Sequence, residues 1–204
     1  MPTKIYDVAS SLWVWQRTDP EAGAFPPLNS TFVESNGISV IIDPTVPDAS
    51  GGEVWKRLDA NPPSAIVILK PDHVRDADSF ALRYHAKVFG PRLFFPDDVP
   101  TTPVEAVDPD DTLPGKILAL YDGRNRLETP AWLPQQRTIV FADGMCGLTN
   151  RLQIWDSPWL TKRVIPAMSE MLALPFERVI VGHGKPLHDR AAFERALDAP
   201  PWRE

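Results

Sequence analysis

Residues 178–186 read Arg178-Val179-Ile180-Val181-Gly182-His183-Gly184-Lys185-Pro186. A short β-branched run closed by turn residues has the pattern of a buried strand. Two glycines then flank a histidine, which lets the backbone turn sharply and present an imidazole at the strand's end. A loop histidine with no further role fits the same letters. Three other places in the chain share this plan, and together they say more than any one of them.

Ile38 to Ile42 is a second apolar run, and it ends in Asp43-Pro44. That carboxylate can orient a neighbouring loop or a histidine, or it can simply start a turn. Ala65 to Leu69 is a third run, followed by Lys70-Pro71-Asp72-His73-Val74-Arg75-Asp76. Carboxylates and an imidazole this close can ligate a divalent metal; a capped helix start is the alternative. Thr138 to Phe141 is the fourth run, and it leads into Ala142-Asp143-Gly144, where Asp143 leaves the core or opens an Asp-Gly turn.

Between the runs the spacing turns helical. Ala77, Phe80, Ala81 and Tyr84 follow the i, i+3, i+4, i+7 rule, with Asp76 or Asp78 as a cap. Leu160, Val164, Met168, Met171 and Leu172 share a face, as do Ala192, Phe193, Ala196 and Leu197 behind an Asp189 cap. Leu12 to Trp15 and Thr31 to Glu34 fit an antiparallel opening. Lys87 to Phe89, Leu93 to Phe95 and Lys116 to Tyr121 are weaker strand candidates, and proline-rich 96–114 reads as loop. Strands alternating with helices imply an α/β layered domain.

Composition narrows the classes. The chain has 204 residues, 43% of them hydrophobic and 24% charged, which suits an ordinary globular domain. Twenty-one basic against 27 acidic residues give a net charge of -6, so nucleic acid is not an expected partner. No apolar run reaches the roughly 18 residues of a membrane span. The start, Met1 to Asp7, lacks a secretory pattern, and the lone Cys146 excludes an internal disulfide framework, so the expected location is cytoplasmic. Cys146 has no neighbouring histidine and is not expected to act as a nucleophile. His85 and His188 read as surface residues, and most of the seven tryptophans as core.

The four strand ends occur in the order and context of the metallo-β-lactamase superfamily. Asn29 to Glu34 followed by Ile38 to Asp43 resembles its opening hairpin, and Glu53 to Leu69 the helix and strand before the metal motif. Asp111 to Leu120 resembles its middle section and Leu127 to Leu133 the strand after it, Arg137 to Met145 the strand ending in the bridging aspartate, and Leu174 to Pro186 the strand and Gly-His-Gly turn that deliver the last histidine. The resemblance runs from about Leu12 to Leu197. It implies an αββα sandwich over residues 1–204 as one domain, with Asp43, Asp72, His73, Asp143 and His183 gathered at one edge of the sheets.

The family's signature, His-x-His-x-Asp-His, is where the chain departs. Setting it on Lys70 puts Lys70, Asp72, Val74 and Arg75 at the ligand positions; shifting by one puts Pro71, His73, Arg75 and Asp76 there. The mid-chain histidine is missing from Asp122-Gly123-Arg124-Asn125-Arg126. The resemblance therefore implies no two-metal centre. It implies one weakly held divalent metal (zinc, iron or manganese) on Asp72, His73, Asp76, Asp143 and His183, or none. Arg75, joined by Arg124, is expected to replace the lost cation by pairing with Asp143 or Asp72. The functional expectation is a hydrolase of an ester, thioester or lactone, with Asp72, His73 and Arg75 in catalytic roles and a small molecule as substrate. The alternative is a metal-free ligand-binding or interaction protein that keeps the fold. A homo-oligomer is left open.

Overall fold

The computed structural model of the chain describes residues 3–18 and 26–203. Met1 and Pro2, on which the reading of the N-terminal start partly rests, lie outside the described residues. In chain order the elements are β1 (Lys4–Ala9), β2 (Leu12–Arg17), β3 (Leu28–Ser35), β4 (Ile38–Ile42), α1 (Gly52–Ala60), β5 (Ala65–Val67), α2 (Ala77–Tyr84) and β6 (Lys87–Gly90). Then follow β7 (Val104–Ala106), β8 (Thr112–Leu113), β9 (Ile117–Ala119), β10 (Ala131–Leu133), β11 (Thr138–Phe141), β12 (Met145–Cys146) and β13 (Gln153–Ile154). The chain closes with α3 (Ile165–Glu170), β14 (Arg178–Val181), β15 (Leu187–Asp189) and α4 (Arg190–Asp198).

Two sheets face each other, ordered β1-β2-β3-β4-β5-β6-β7 and β15-β14-β11-β10-β9-β8. Three apolar clusters make the layers explicit. The inner one joins the sheets through Val14, Val33, Val40, Ile42, Val140 and Ile180. A second packs Trp15, Ile41 and Ile66 of the first sheet on Val54, Leu58 and Phe80 of α1 and α2. A third packs Ile139, Phe141 and Val179 of the second sheet on Met168 and Phe193 of α3 and α4. Alternate residues of one strand serve different clusters because side chains in a strand point to opposite faces; Val40 and Ile42 face the other sheet while Ile41 faces the helices. The architecture is the expected αββα sandwich.

In the first sheet β4, β5, β6 and β7 run parallel, and in the second β11 pairs parallel with β14. Loops beyond the carboxyl ends of parallel strands are where such sheets build sites, and Asp43, Lys70 to Asp76, Asp143 and His183 all lie just there. The two edges are stitched together. The Asn29 main-chain N–H donates to Gly182 (2.8 Å), and its side-chain amide donates to Val181 (2.8 Å) and Gly184 (3.1 Å) carbonyls.

Several elements differ from expectation. The 96–114 stretch, read as loop, contains β7 and β8. β7 is a three-residue edge strand set among prolines, too short for its pattern to stand out, and it pairs Glu105 with Lys87 of the neighbouring strand (3.1 Å). Leu93 to Phe95 is not a strand, and Leu93 is 81% exposed. The helix expected from Leu160 begins as a π-helical stretch, Leu160–Val164, before α3. Asp76 stands at the α2 N-cap without a capping bond, whereas Asp189 does cap α4 through Ala192 N–H (2.7 Å). His188, read as a surface residue, is buried in β15 and bonded to the Lys185 carbonyl (3.0 Å). No helix among the described residues is long and apolar enough to cross a membrane.

Candidate functional site

Asp43 leaves β4 in a left-handed backbone conformation (φ 45°) that its short polar side chain tolerates. Its carboxylate accepts from the Leu69 N–H at one oxygen (2.9 Å) and contacts His73 Nδ1 at the other (2.8 Å). One aspartate therefore fixes both the strand end and the ring orientation that follows it. With Nδ1–H given to Asp43, His73 Nε2 faces Asp143 Oδ1 at 3.4 Å. His183 Nε2 faces the same oxygen at 3.0 Å. One ligand atom from each of His73, Asp143 and His183 lies within 4.8 Å of the others, and all three residues are buried.

Asp143 offers its other oxygen to a lysine. Lys70 Nζ stands 2.7 Å from Asp143 Oδ2 and 2.5 Å from Asp72 Oδ2, and its side chain is only 5% exposed. Burial opposes the charge on Lys70, but Asp143 and Asp72 outweigh it and hold the ammonium's pKa above its usual value. Burial likewise opposes the Asp143 carboxylate, and His73 and His183 overcome it, holding it well below the usual range. His73 is disfavoured as a cation by burial and by Arg75, yet Asp143 and Asp43 raise its pKa. His183 goes the other way: burial dominates and lowers it.

The loop that carries Asp143 rests on a second acidic group. Glu128 Oε2 accepts the main-chain N–H groups of Asp143 (2.5 Å) and Gly144 (2.6 Å). Glu128 and Asp122 are both fully buried, and Asp122 Oδ2 and Glu128 Oε1 would lie 2.8 and 2.9 Å from a Cβ on Gly144. Burial pushes the Asp122 carboxyl up to about 7, and burial together with Asp122 pushes Glu128 well above its ordinary value.

The structure thus brings His73, Asp143 and His183 together, with Asp43 behind His73 and Asp72 joined through Lys70. Asp76 is not part of this group. Its carboxylate accepts from the Val46 N–H (2.6 Å) and lies 3.8 Å from Arg17. Arg75 does not fork onto a carboxylate as expected: its Nη1 donates to the main-chain carbonyls of Asn29 (2.8 Å) and Asp43 (2.9 Å). Arg124 donates to Thr129 Oγ1 (2.7 Å) instead of reaching Asp143 or Asp72. The cation that pairs with both aspartates is Lys70, and a third register of the signature accounts for it. Setting Asp-His on Asp72-His73 puts Lys70 at the second histidine position and Ile68 at the first. That register begins at Ile68, inside the apolar run, so no polar residue marks its start.

Two imidazoles and a carboxylate are a donor set suited to zinc, iron or manganese. A histidine whose far nitrogen is held by a carboxylate is the usual support for such a ligand. Asp72 Oδ1 is buried without a hydrogen-bond partner among the described residues, a further oxygen left over beside the group. The residues present therefore fit one divalent ion.

No family model matches the chain, and no curated protein matches it in sequence. Solved structures do. The mono-zinc form of the metallo-β-lactamase FIM-1 from Pseudomonas aeruginosa superposes with a TM-score of 0.71 at 14% identity, over 97% of this chain and 94% of that one. A metallo-β-lactamase from Hirschia baltica gives 0.71 at 15% identity, over 97% of each chain. One from Pontibacter korlensis gives 0.70 at 17% identity, over 96% and 97%. The chain has the metallo-β-lactamase fold.

Proposed function

We propose that this chain is a hydrolase on the metallo-β-lactamase fold that works with a single divalent ion and cleaves an ester, thioester or lactone of a small molecule. The observation that carries the reading is the convergence of His73 Nε2 and His183 Nε2 on Asp143 Oδ1, at 3.4 and 3.0 Å. These three side chains would hold the ion. When bound, zinc, iron or manganese supplies a Lewis acid and a hydroxide near neutral pH.

The surrounding residues prepare that chemistry. Asp43 accepts from His73 Nδ1, which leaves Nε2 as the nitrogen that would meet the ion. Glu128 fixes the Asp143 backbone, and Arg75 ties the Asn29 carbonyl of β3 to the Asp43 carbonyl at the end of β4. Asp72, whose side chain is 35% exposed, is the acidic member of the group that reaches solvent. That exposure supports a role for Asp72 in orienting a substrate.

Elemental analysis of protein purified without chelator or added metal should give about one ion per chain. Ester, thioester and lactone hydrolysis should fall on chelation and return on adding zinc or manganese. A second reading, a metal-free ligand-binding protein, is favoured by one observation: Asp143 is already met by Lys70 and both histidines. A metal-free preparation that takes up no ion and turns over none of the three substrate classes would replace the first reading with the second.

A further inference from the structure

We propose that Lys70 is a fixed cation of the site, whose ammonium clamps Asp72 to Asp143 and excludes a second metal ion. The inference rests on the reading of His73, Asp143 and His183 as one ion's ligands. A protonated ammonium has three donors and no lone pair, so it cannot ligate. It places a positive charge 2.7 Å from Asp143 and 2.5 Å from Asp72. An ion approaching these two oxygens would meet a like charge.

The division of Asp143 is the central geometric fact. One of its oxygens faces the two histidines and the other faces Lys70. The carboxylate is thus shared between a seat for an ion and a permanent cation. Only 4% of Lys70 is exposed, and its ammonium lies between the Asp143 and Asp72 carboxylates.

The test compares wild type with Lys70→Met, Lys70→His and Lys70→Arg, using zinc titration and metal content as readouts besides activity. Wild type and Lys70→Arg should bind one ion. Lys70→His should bind two, because an imidazole replaces the cation with a ligand. Lys70→Met should bind its ion at least tenfold more tightly, since a like charge is gone. Lys70→His holding one ion, together with Lys70→Met affinity within twofold of wild type, would overturn the proposal. Wild type binding no ion would instead overturn the mononuclear reading. Melts of metal-free Lys70→Met, Asp143→Asn and the double variant then decide on the clamp: a double loss clearly smaller than the summed single losses supports it, and additivity overturns it.

Discussion

Arg75 adopts a left-handed backbone conformation (φ 47°), and its guanidinium donates to two main-chain carbonyls at the point where the sheets meet. Hydrogen bonds from a charged donor are worth more than neutral ones, so Arg75→Ala should cost about 2–3 kcal/mol in a denaturant melt. A change below about 0.5 kcal/mol would show that these bonds hold nothing together. Asp122 gives a pH prediction. Its carboxyl is pushed up to about 7, from an ordinary value of 3.8. The folded chain therefore holds a proton that the unfolded chain has lost between about pH 4 and 7, and this contribution to stability falls as pH rises through that window. Asp122→Asn keeps an acceptor for the Asn125 N–H and removes the ionisation, so it should stabilise the fold above pH 7 by about 2–4 kcal/mol. The gain should shrink toward pH 4; a gain independent of pH would refute the account. Asp43, His73, Asp143 and His183 were legible as candidates because each follows a strand-like run. Lys70 was not read as the site's cation because lysine is ordinarily a surface residue, and its burial appears only once Asp143 arrives from the other sheet. Glu128 and Asp122 were hidden for the same reason: their partners are main-chain N–H groups and a neighbour known only from the fold.

Among the elements, the turn after β14 is tightly constrained. Gly184 has φ 79°, and a Cβ there would lie 2.5 Å from the Gly147 backbone. Gly37, in the turn between β3 and β4, has φ 73° but open space around it. Gly37→Ala should therefore cost only the left-handed strain, about 1 kcal/mol. Gly184→Ala adds a backbone collision and should cost about 3 kcal/mol or more, displacing His183 as well. Equal losses in the two melts would show that the turn around His183 has slack. β4, β5, β11 and β14 were readable because strands covered on both faces are apolar throughout. β7 and β8 were not readable, having three and two residues, and the geometry of the 121–129 loop gave no sign in sequence. That loop holds Arg124, Arg126 and Leu127 at positive φ (56°, 56° and 64°), conformations that larger side chains seldom announce.

At the scale of the molecule, the candidate ligands come from opposite halves of the sandwich. His73 and its support Asp43 follow β5 and β4 of one sheet, while Asp143 and His183 follow β11 and β14 of the other. An ion bound by all three would therefore bridge the sheets, and it would bind the folded chain in preference to the unfolded one, where the ligands are scattered over 111 positions from residue 73 to 183. Linkage gives the size of the effect: at a free concentration one hundred times the dissociation constant, the fold gains about 2.7 kcal/mol. For a domain near this size each kcal/mol moves the melting temperature by roughly 2–4 °C, so the shift should be about 5–10 °C. Zinc or manganese should produce that rise in wild type, and chelator should reverse it. Asp143→Asn and His183→Ala should each remove most of it, because either change breaks the bridge on the same sheet. Asp76→Asn should retain it in full, since that carboxylate serves Val46 and Arg17. A rise that survives His183→Ala would place the ion somewhere other than between the two sheets.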